Sequence, residues 1–376
     1  MLHMGMGQAS SLFFGLMTAS VLARGLGQEG RGTLAMVILL PMTVATFLNM
    51  SLGSAVVHFV AKEKEQIKGI VGTSFVINIV LGLLQFLVTC MAVQFAGQYL
   101  ISGIDYNLVY LSAFLTMINT VLFGIGPSVI LGIGAFKFQG YLASCTSPLM
   151  PMGYLGLLFL GHLSVFTVII TNFIIGLIVG IITVRYLFRK IGGLEFPIKQ
   201  WTKQLLVYGG YCHLSNIITF FNYRLDMYLL NYFKGIGPTG LYSSAVSISE
   251  RLWMLSKIAS SIIFPKISAM QNEKEKQHLT VTVCGVVFLM TGLAAILFWY
   301  VAPYVIPVLL GAEFFGSVVA IQWLLPGIVT LSAGRVLSND LAGRGKTNLN
   351  TISAAFMLVS NVAMNLYLIP IYGIKG

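Results

Sequence analysis

Eleven apolar runs, each long enough to cross a hydrocarbon core of about 30 Å, follow one another along this chain with only short polar gaps. They cover residues 5–23, 33–61, 69–96, 107–133, 138–160, 163–187, 204–233, 239–268, 278–302, 315–341 and 347–369. Their length, and the lack of the two-residue alternation of barrel strands, predict transmembrane helices. Charged residues make up 9% of the 376, against about 25% in a soluble domain. That is too few to cover a water-facing surface, so a soluble enzyme and a disordered chain are both excluded. The expected fold class is all-α, a polytopic integral membrane protein of about 11 transmembrane helices.

The basic excess, 22 Lys and Arg against 11 Asp and Glu, is explained by topology rather than by nucleic acid. If the N-terminus is cytoplasmic, the inside loops hold fourteen cations, from Lys62 to Lys346, and the outside loops hold Arg24, Arg31, Lys234 and Lys375. That asymmetry predicts a cytoplasmic membrane protein with its N-terminus inside. Membrane lipids are expected partners and nucleic acid is not. Cys90, Cys145, Cys212 and Cys284 each sit in an apolar run without metal-ligand spacing. No nucleophile with a paired base, HExxH motif or Walker loop is present, so no catalytic residue, metal or cofactor is expected, and the chain does not read as an enzyme.

An internal repeat divides the chain. Residues 24–35, RGLGQEGRGTLA, align without gaps to 234–245, KGIGPTGLYSSA, at an offset of 210, and Glu63-Lys64-Glu65 meets Glu273-Lys274-Glu275 at the same offset. Six helices separate equivalent points, so the two halves share one orientation, as halves related by a pseudo-twofold axis along the membrane normal do. The division predicted is a six-helix bundle over 1–187, a cytoplasmic amphipathic connector over 188–203, and a second bundle over 204–376. In the connector Gly192-Gly193 reads as a joint and Pro197 as the opening of a short helix that lies at the interface through Trp201. The run Gly27-Gln28-Glu29-Gly30-Arg31-Gly32 reads as a tight turn between helices, because a phosphate-binding loop needs a preceding strand.

Charges inside the apolar runs carry the functional signal. Each costs at least about 2.5–3.5 kcal/mol at the bilayer centre, so each should face a cavity or a partner. Arg224, Arg251, Lys257 and Arg335 are the candidate cavity cations for substrate binding. Asp226 and Glu250 are candidate ion-coupling or structural acids. Steps of 100° per residue put His213, Asn216 and Arg224 on one stripe, which with His58 supplies a candidate polar lining. Glu250 and Lys257, seven apart, fall on one helix face, and Arg335 shares a face with Asn339. Counted from the turn near residue 237, Arg224 and Arg251 both lie about 20 Å deep. The bland readings stand beside these: Asp226 and Glu250 as neutralising partners, Lys257 and Arg335 snorkelling to an interface, both histidines as packing groups, and Asp340 solvated at a helix end.

In order, RGLGQEGRG, SLGSAVVHFVAKEKE, NYRLDMYLLNYFKGIGPTGLYSSAVSI, FPKISAM, LLPGI, LAGRGK and NLYLIPIYGIKG resemble the polysaccharide-export and O-antigen flippase family of the MOP superfamily. The resemblance spans essentially the whole chain. It implies two helical bundles around a central cavity that opens alternately to each side. It also implies a polyprenyl-diphosphate-linked glycan as substrate, with a polysaccharide polymerase or glycosyltransferases as partners. Members carry twelve or more helices, with one following a segment like IPIYGIKG, so the second bundle is expected to be incomplete here. Two other functions stay open: a multidrug or toxin-extrusion cation antiporter, and a non-transporting scaffold of a polysaccharide assembly complex. The antiporter needs an embedded carboxylate, and Asp226 and Glu250 are the two available.

Overall fold

The computed structural model describes residues 2–254, 256, 267, 270, 272–344 and 347–376. No strand occurs among them. The helices are α1 (Leu2–Leu48), α2 (Leu52–Lys62), α3 (Ile67–Leu100), α4 (Tyr106–Phe123), α5 (Gly126–Gly132), α6 (Phe136–Thr146), α7 (Leu149–Phe159), α8 (Val165–Ile191), α9 (Ile198–Lys234), α10 (Ile236–Ser249), α11 (Glu273–Leu310), α12 (Gly316–Gly343) and α13 (Thr347–Tyr372). The chain is therefore all-helical, as its apolar runs require.

Eight helical segments among the described residues are long and apolar enough to span a membrane. The difference from eleven has local causes. The first two runs both fall within α1, where two helices meet across a kink at Gly27. Helix α9 has the length, at 37 residues, but His213, Asn216, Asn222, Arg224, Asp226 and Asn231 lower its hydropathy. Helix α10 has 14 residues before a tighter 3₁₀ turn over Glu250–Trp253, and most of the remainder of the run 239–268 lies outside the described residues.

Two compact units are distinguished, residues 1–26 with 33–224, and residues 27–32 with 225–376. The division proposed from the repeat, at 188–203, is one of topology, whereas these units are drawn by packing.

The first unit exposes large apolar side chains, as a lipid-facing surface does, and buries a polar stripe beside its apolar core. Phe95 and Phe159 are 76% and 86% exposed. Along α3, by contrast, Ser74, Asn78, Gln85 and Thr89 are buried on one stripe with spacings of four and seven. The expected interfacial helix at the connector is not what forms. Residues 192–197 are non-helical, and Gly192 ends α8 in the left-handed region at φ 78°. Helix α9 then runs unbroken from Ile198. Trp201 is 3% exposed and packs edge-on to Phe59 in a core with Val56, Ile70, Val129 and Leu205. Gly69 makes room for Pro197 and the Trp201 indole, and Gly72 for the connector backbone, where a Cβ would stand 1.9 Å from the Glu195 carbonyl oxygen.

In the second unit the glycine-rich run holds the break between two helices that the sequence predicts, compressed to a kink at Gly27. Gly27 (φ 67°, ψ −175°) breaks α1, and Gly235 (φ 82°, ψ −173°) precedes α10 with nearly the same conformation. The helical turns that follow approach each other reciprocally. A Cβ on Gly32 would stand 2.1 Å from the Ile236 carbonyl oxygen, and one on Gly240 would stand 1.9 Å from that of Gln28. Each equivalent pair (27 and 235, 28 and 236, 32 and 240) is 208 residues apart, not 210. The gapless alignment matched glycines by type, whereas the backbone pairs them by torsion angle and close approach.

Candidate functional site

A polar cavity of about 420 Å³ lies within the first unit. It is built where the second apolar run breaks. Asn49 Oδ1 accepts from the Ser51 amide at 2.8 Å, and Met50 and Ser51 both adopt φ 47°. Two consecutive non-glycine residues in the left-handed region store strain that the surrounding packing must hold. The break turns Asn49 and Ser51 into the cavity, where they meet Asn78 and Gln85 of α3, Thr120 of α4 and Asn216 of α9. Asn216 Nδ2 donates to Ser51 Oγ at 2.7 Å, and Gln85 Nε2 donates to the Pro41 carbonyl at 3.3 Å. Asn78 donates to the Thr120 carbonyl, near the point where α4 stops ahead of Gly124 and Pro127. No charged residue lines this cavity.

Of the stripe read on α9, His213 and Asn216 both reach the α1–α2 break. His213 Nε2 donates to the Phe47 carbonyl at 2.8 Å. Arg224 is half-buried, and its Nη1 donates to the Tyr223 carbonyl at 3.0 Å. His58 stands apart from them: its ring stacks on Tyr208 at 4.3 Å and lies edge-on to Phe59.

In the second unit Asp226 is held by α9 against α10. One carboxylate oxygen accepts from the Met227 amide at 2.8 Å and the other from the Tyr242 hydroxyl. Asp226 and Tyr242 border a cavity of about 110 Å³ together with Leu230, Trp323 and Asn365. Glu250 and Arg251 open the 3₁₀ turn that follows α10. The single helical wheel used for Glu250 and Lys257 does not carry through that turn, because a 3₁₀ segment advances about 120° per residue. Lys257 lies outside the described residues. The Arg335 guanidinium sits 4.1 Å from the centre of the buried Trp253 ring, and its carbonyl accepts from Asn339 Nδ2 at 2.8 Å. That geometry is a cation–π contact rather than a side chain reaching for an interface.

Two residues read as solvated are buried. Asp340 is 8% exposed. It accepts two bonds from Arg344 Nε at 2.9 Å and one from Thr280 Oγ1 at 2.8 Å. Arg344 continues to Glu273 at 2.7 Å, which also binds Lys276 at 2.7 Å. Arg31, counted among the outside loop cations, is 9% exposed and points its Nε at Ser244 Oγ, 3.4 Å away. It was missed because the turn was taken to run on to Gly32, whereas the helix resumes directly after Gly27. The polar stripe of α3 was missed too, although its spacing was visible in the sequence.

Residues 2–271 match the family described as polysaccharide biosynthesis protein. A Shigella flexneri protein named for O-antigen transport is 21% identical over 98% of this chain and 90% of its own length. Among solved structures, the lipid II flippase MurJ in an inward closed conformation superposes with a TM-score of 0.82 at 14% identity, covering all of this chain and 83% of that one. An inward-facing multidrug resistance MATE family transporter of the MOP superfamily gives 0.74 at 16% identity, covering 97% of this chain and 89% of that one. At these identities the solved structures establish a shared fold.

Proposed function

This chain belongs to the polysaccharide biosynthesis protein family, and from that premise we propose that it is a transporter of the cytoplasmic membrane that flips a polyprenyl-diphosphate-linked oligosaccharide to the outer leaflet. The observation that carries the reading is the uncharged polar cavity of the first unit. Its amides and hydroxyls offer donors and acceptors to sugar hydroxyls, and it has no carboxylate to hold an organic cation. Arg224 and Arg251 are assigned to the diphosphate, because a guanidinium fork matches phosphate oxygens two at a time. Arg335, steadied on Trp253, is the supporting cation. The substrate site opens to one side of the membrane and then to the other, with Asp226 or Glu250 as the acid that couples an ion to the cycle. A polysaccharide polymerase or glycosyltransferases are the expected neighbours.

One observation favours the cation antiporter instead. Asp226 borders a cavity and is held by a tyrosine hydroxyl, as an embedded exchange site would be. Complementation separates the two. The gene should restore surface polysaccharide to a flippase-deficient strain without changing its resistance to organic cations. Resistance gained with no polysaccharide restored would establish the antiporter and remove the flippase.

A further inference from the structure

At one end of the first unit a second cavity, of about 460 Å³, is walled by three lysines and one carboxylate: Lys64, Lys68, Lys190 and Glu65. We propose that this cavity binds the phosphate headgroup of an anionic membrane lipid. The inference does not depend on what the protein transports.

Three elements converge to make the site. The 3₁₀ turn Lys64–Gln66 brings in Lys64 and Glu65, and the first turn of α3 brings in Lys68. The end of α8 supplies Tyr186, Lys190 and Ile191, while Ile133, Gly134 and Ala135 close the wall between α5 and α6. Gly134 takes φ 70° there, a conformation that lets the chain turn sharply at the rim. The charge balance of the lining is three cations to one anion. Among the described residues no ion pair within 4.0 Å occupies the three ammonium groups, although Lys62 and Glu63 nearby do pair at 3.8 Å. Arg189 and Lys190 add positive charge at the last turn of α8 and offset its carbonyl end.

The walls decide between a lipid and a free anion. Ile67, Ile133, Ala135 and Ile191 make the other side of the cavity apolar, and Tyr186 is fixed by stacking on Phe138 with ring centres 3.7 Å apart and planes 5° apart. A free phosphate would gain nothing from those groups. A lipid sets its phosphate and the upper part of its chains at the same boundary, where lysine, tyrosine and aliphatic side chains meet.

The test uses the full chain in phosphatidylcholine nanodiscs titrated with phosphatidylglycerol, with retained lipid counted by native mass spectrometry. The triple variant Lys64→Gln, Lys68→Gln, Lys190→Gln should bind phosphatidylglycerol about 100-fold more weakly. The triple variant Lys62→Gln, Lys199→Gln, Lys203→Gln removes the same charge from exposed positions outside the cavity, and should bind as the parent does. All six lysines are exposed, so folding should persist in both variants, and an unchanged thermal midpoint checks it. Equal loss in the two variants would reduce the effect to net charge and overturn the proposal. Retained binding in the first variant would overturn it too. Displacement of phosphatidylglycerol by millimolar inorganic phosphate would make this a site for a free anion and not for a lipid.

Discussion

A carboxylate four residues before an arginine at a helix end would ordinarily be solvated and weakly paired, but Asp340 is neither. Its two oxygens accept from Arg344 and one also from Thr280, in a setting where both ionic side chains are less than one-fifth exposed. Removing one member of such a pair strands the other, so Asp340→Ala should destabilise the protein by about 3 kcal/mol. A thermal melt in detergent reads this directly, and Asp340→Asn, which keeps the Thr280 acceptor, should lie between. The proposed substrate arginines predict a different signature. Arg224→Ala or Arg251→Ala should weaken substrate binding about 10- to 150-fold, the loss of one charge-assisted bond of about 1.5–3 kcal/mol, with protein level unchanged. Arg251→Lys should recover only part, because an ammonium keeps the charge and loses the fork. Unaltered surface polysaccharide in both alanine variants would make these arginines structural. At this scale the sequence showed which residues are costly in a membrane, but not which partners they find. Arg335 on Trp253 and Asp226 on Tyr242 are contacts between segments distant in the chain or on different helices, which no local pattern encodes.

Apolar length does not say where a helix is interrupted. Residues 33–61 and 107–133 each read as one span; the second does form one over Tyr106–Gly132 but carries a turn at 124–125, whereas the first breaks at 49–51. A proline and a side-chain amide bonded to a backbone carbonyl supply the reason in the second case, and two left-handed residues mark the first. Conversely, the short interfacial helix and the seventh run merge into the 37 residues of α9, since no residue between Ile198 and Lys234 stops the winding. Close helix packing gives the sharpest prediction here. Gly32→Ala or Gly240→Ala would drive a methyl group into a backbone carbonyl of the facing turn, so either change should lower expression and thermal midpoint markedly. Gly237→Ala, in the same helical turn as Gly240, meets nothing within 4 Å and should be neutral or slightly stabilising. If all three variants melt alike, the Gly32–Gly240 contact does not hold this part of the fold.

For the whole molecule, the loop cations predict a cytoplasmic N-terminus. A cysteine placed at position 63 or 273 should therefore resist a membrane-impermeant maleimide added to intact cells, and efficient labelling there would reverse the topology. That inference survives the burial of Arg31, because removing one of four outside cations only strengthens the bias. From the sequence alone came the helical class, the membrane setting, the repeat and the family resemblance. All of these rest on quantities that sum along a chain: hydropathy over about 20 residues, charge per loop, and recurrence at a fixed interval. The tertiary structure alone decided that the repeat is offset by 208 residues, that Trp201 and Asp340 are buried, and that Asn49, Ser51, Asn78, Gln85, Thr120 and Asn216 share one cavity. The reason is physical. In a bilayer the apolar surface pays no attention to which helix it faces, so hydropathy cannot select neighbours, whereas polar groups and glycine close approaches do select them and act only once distant segments are packed together.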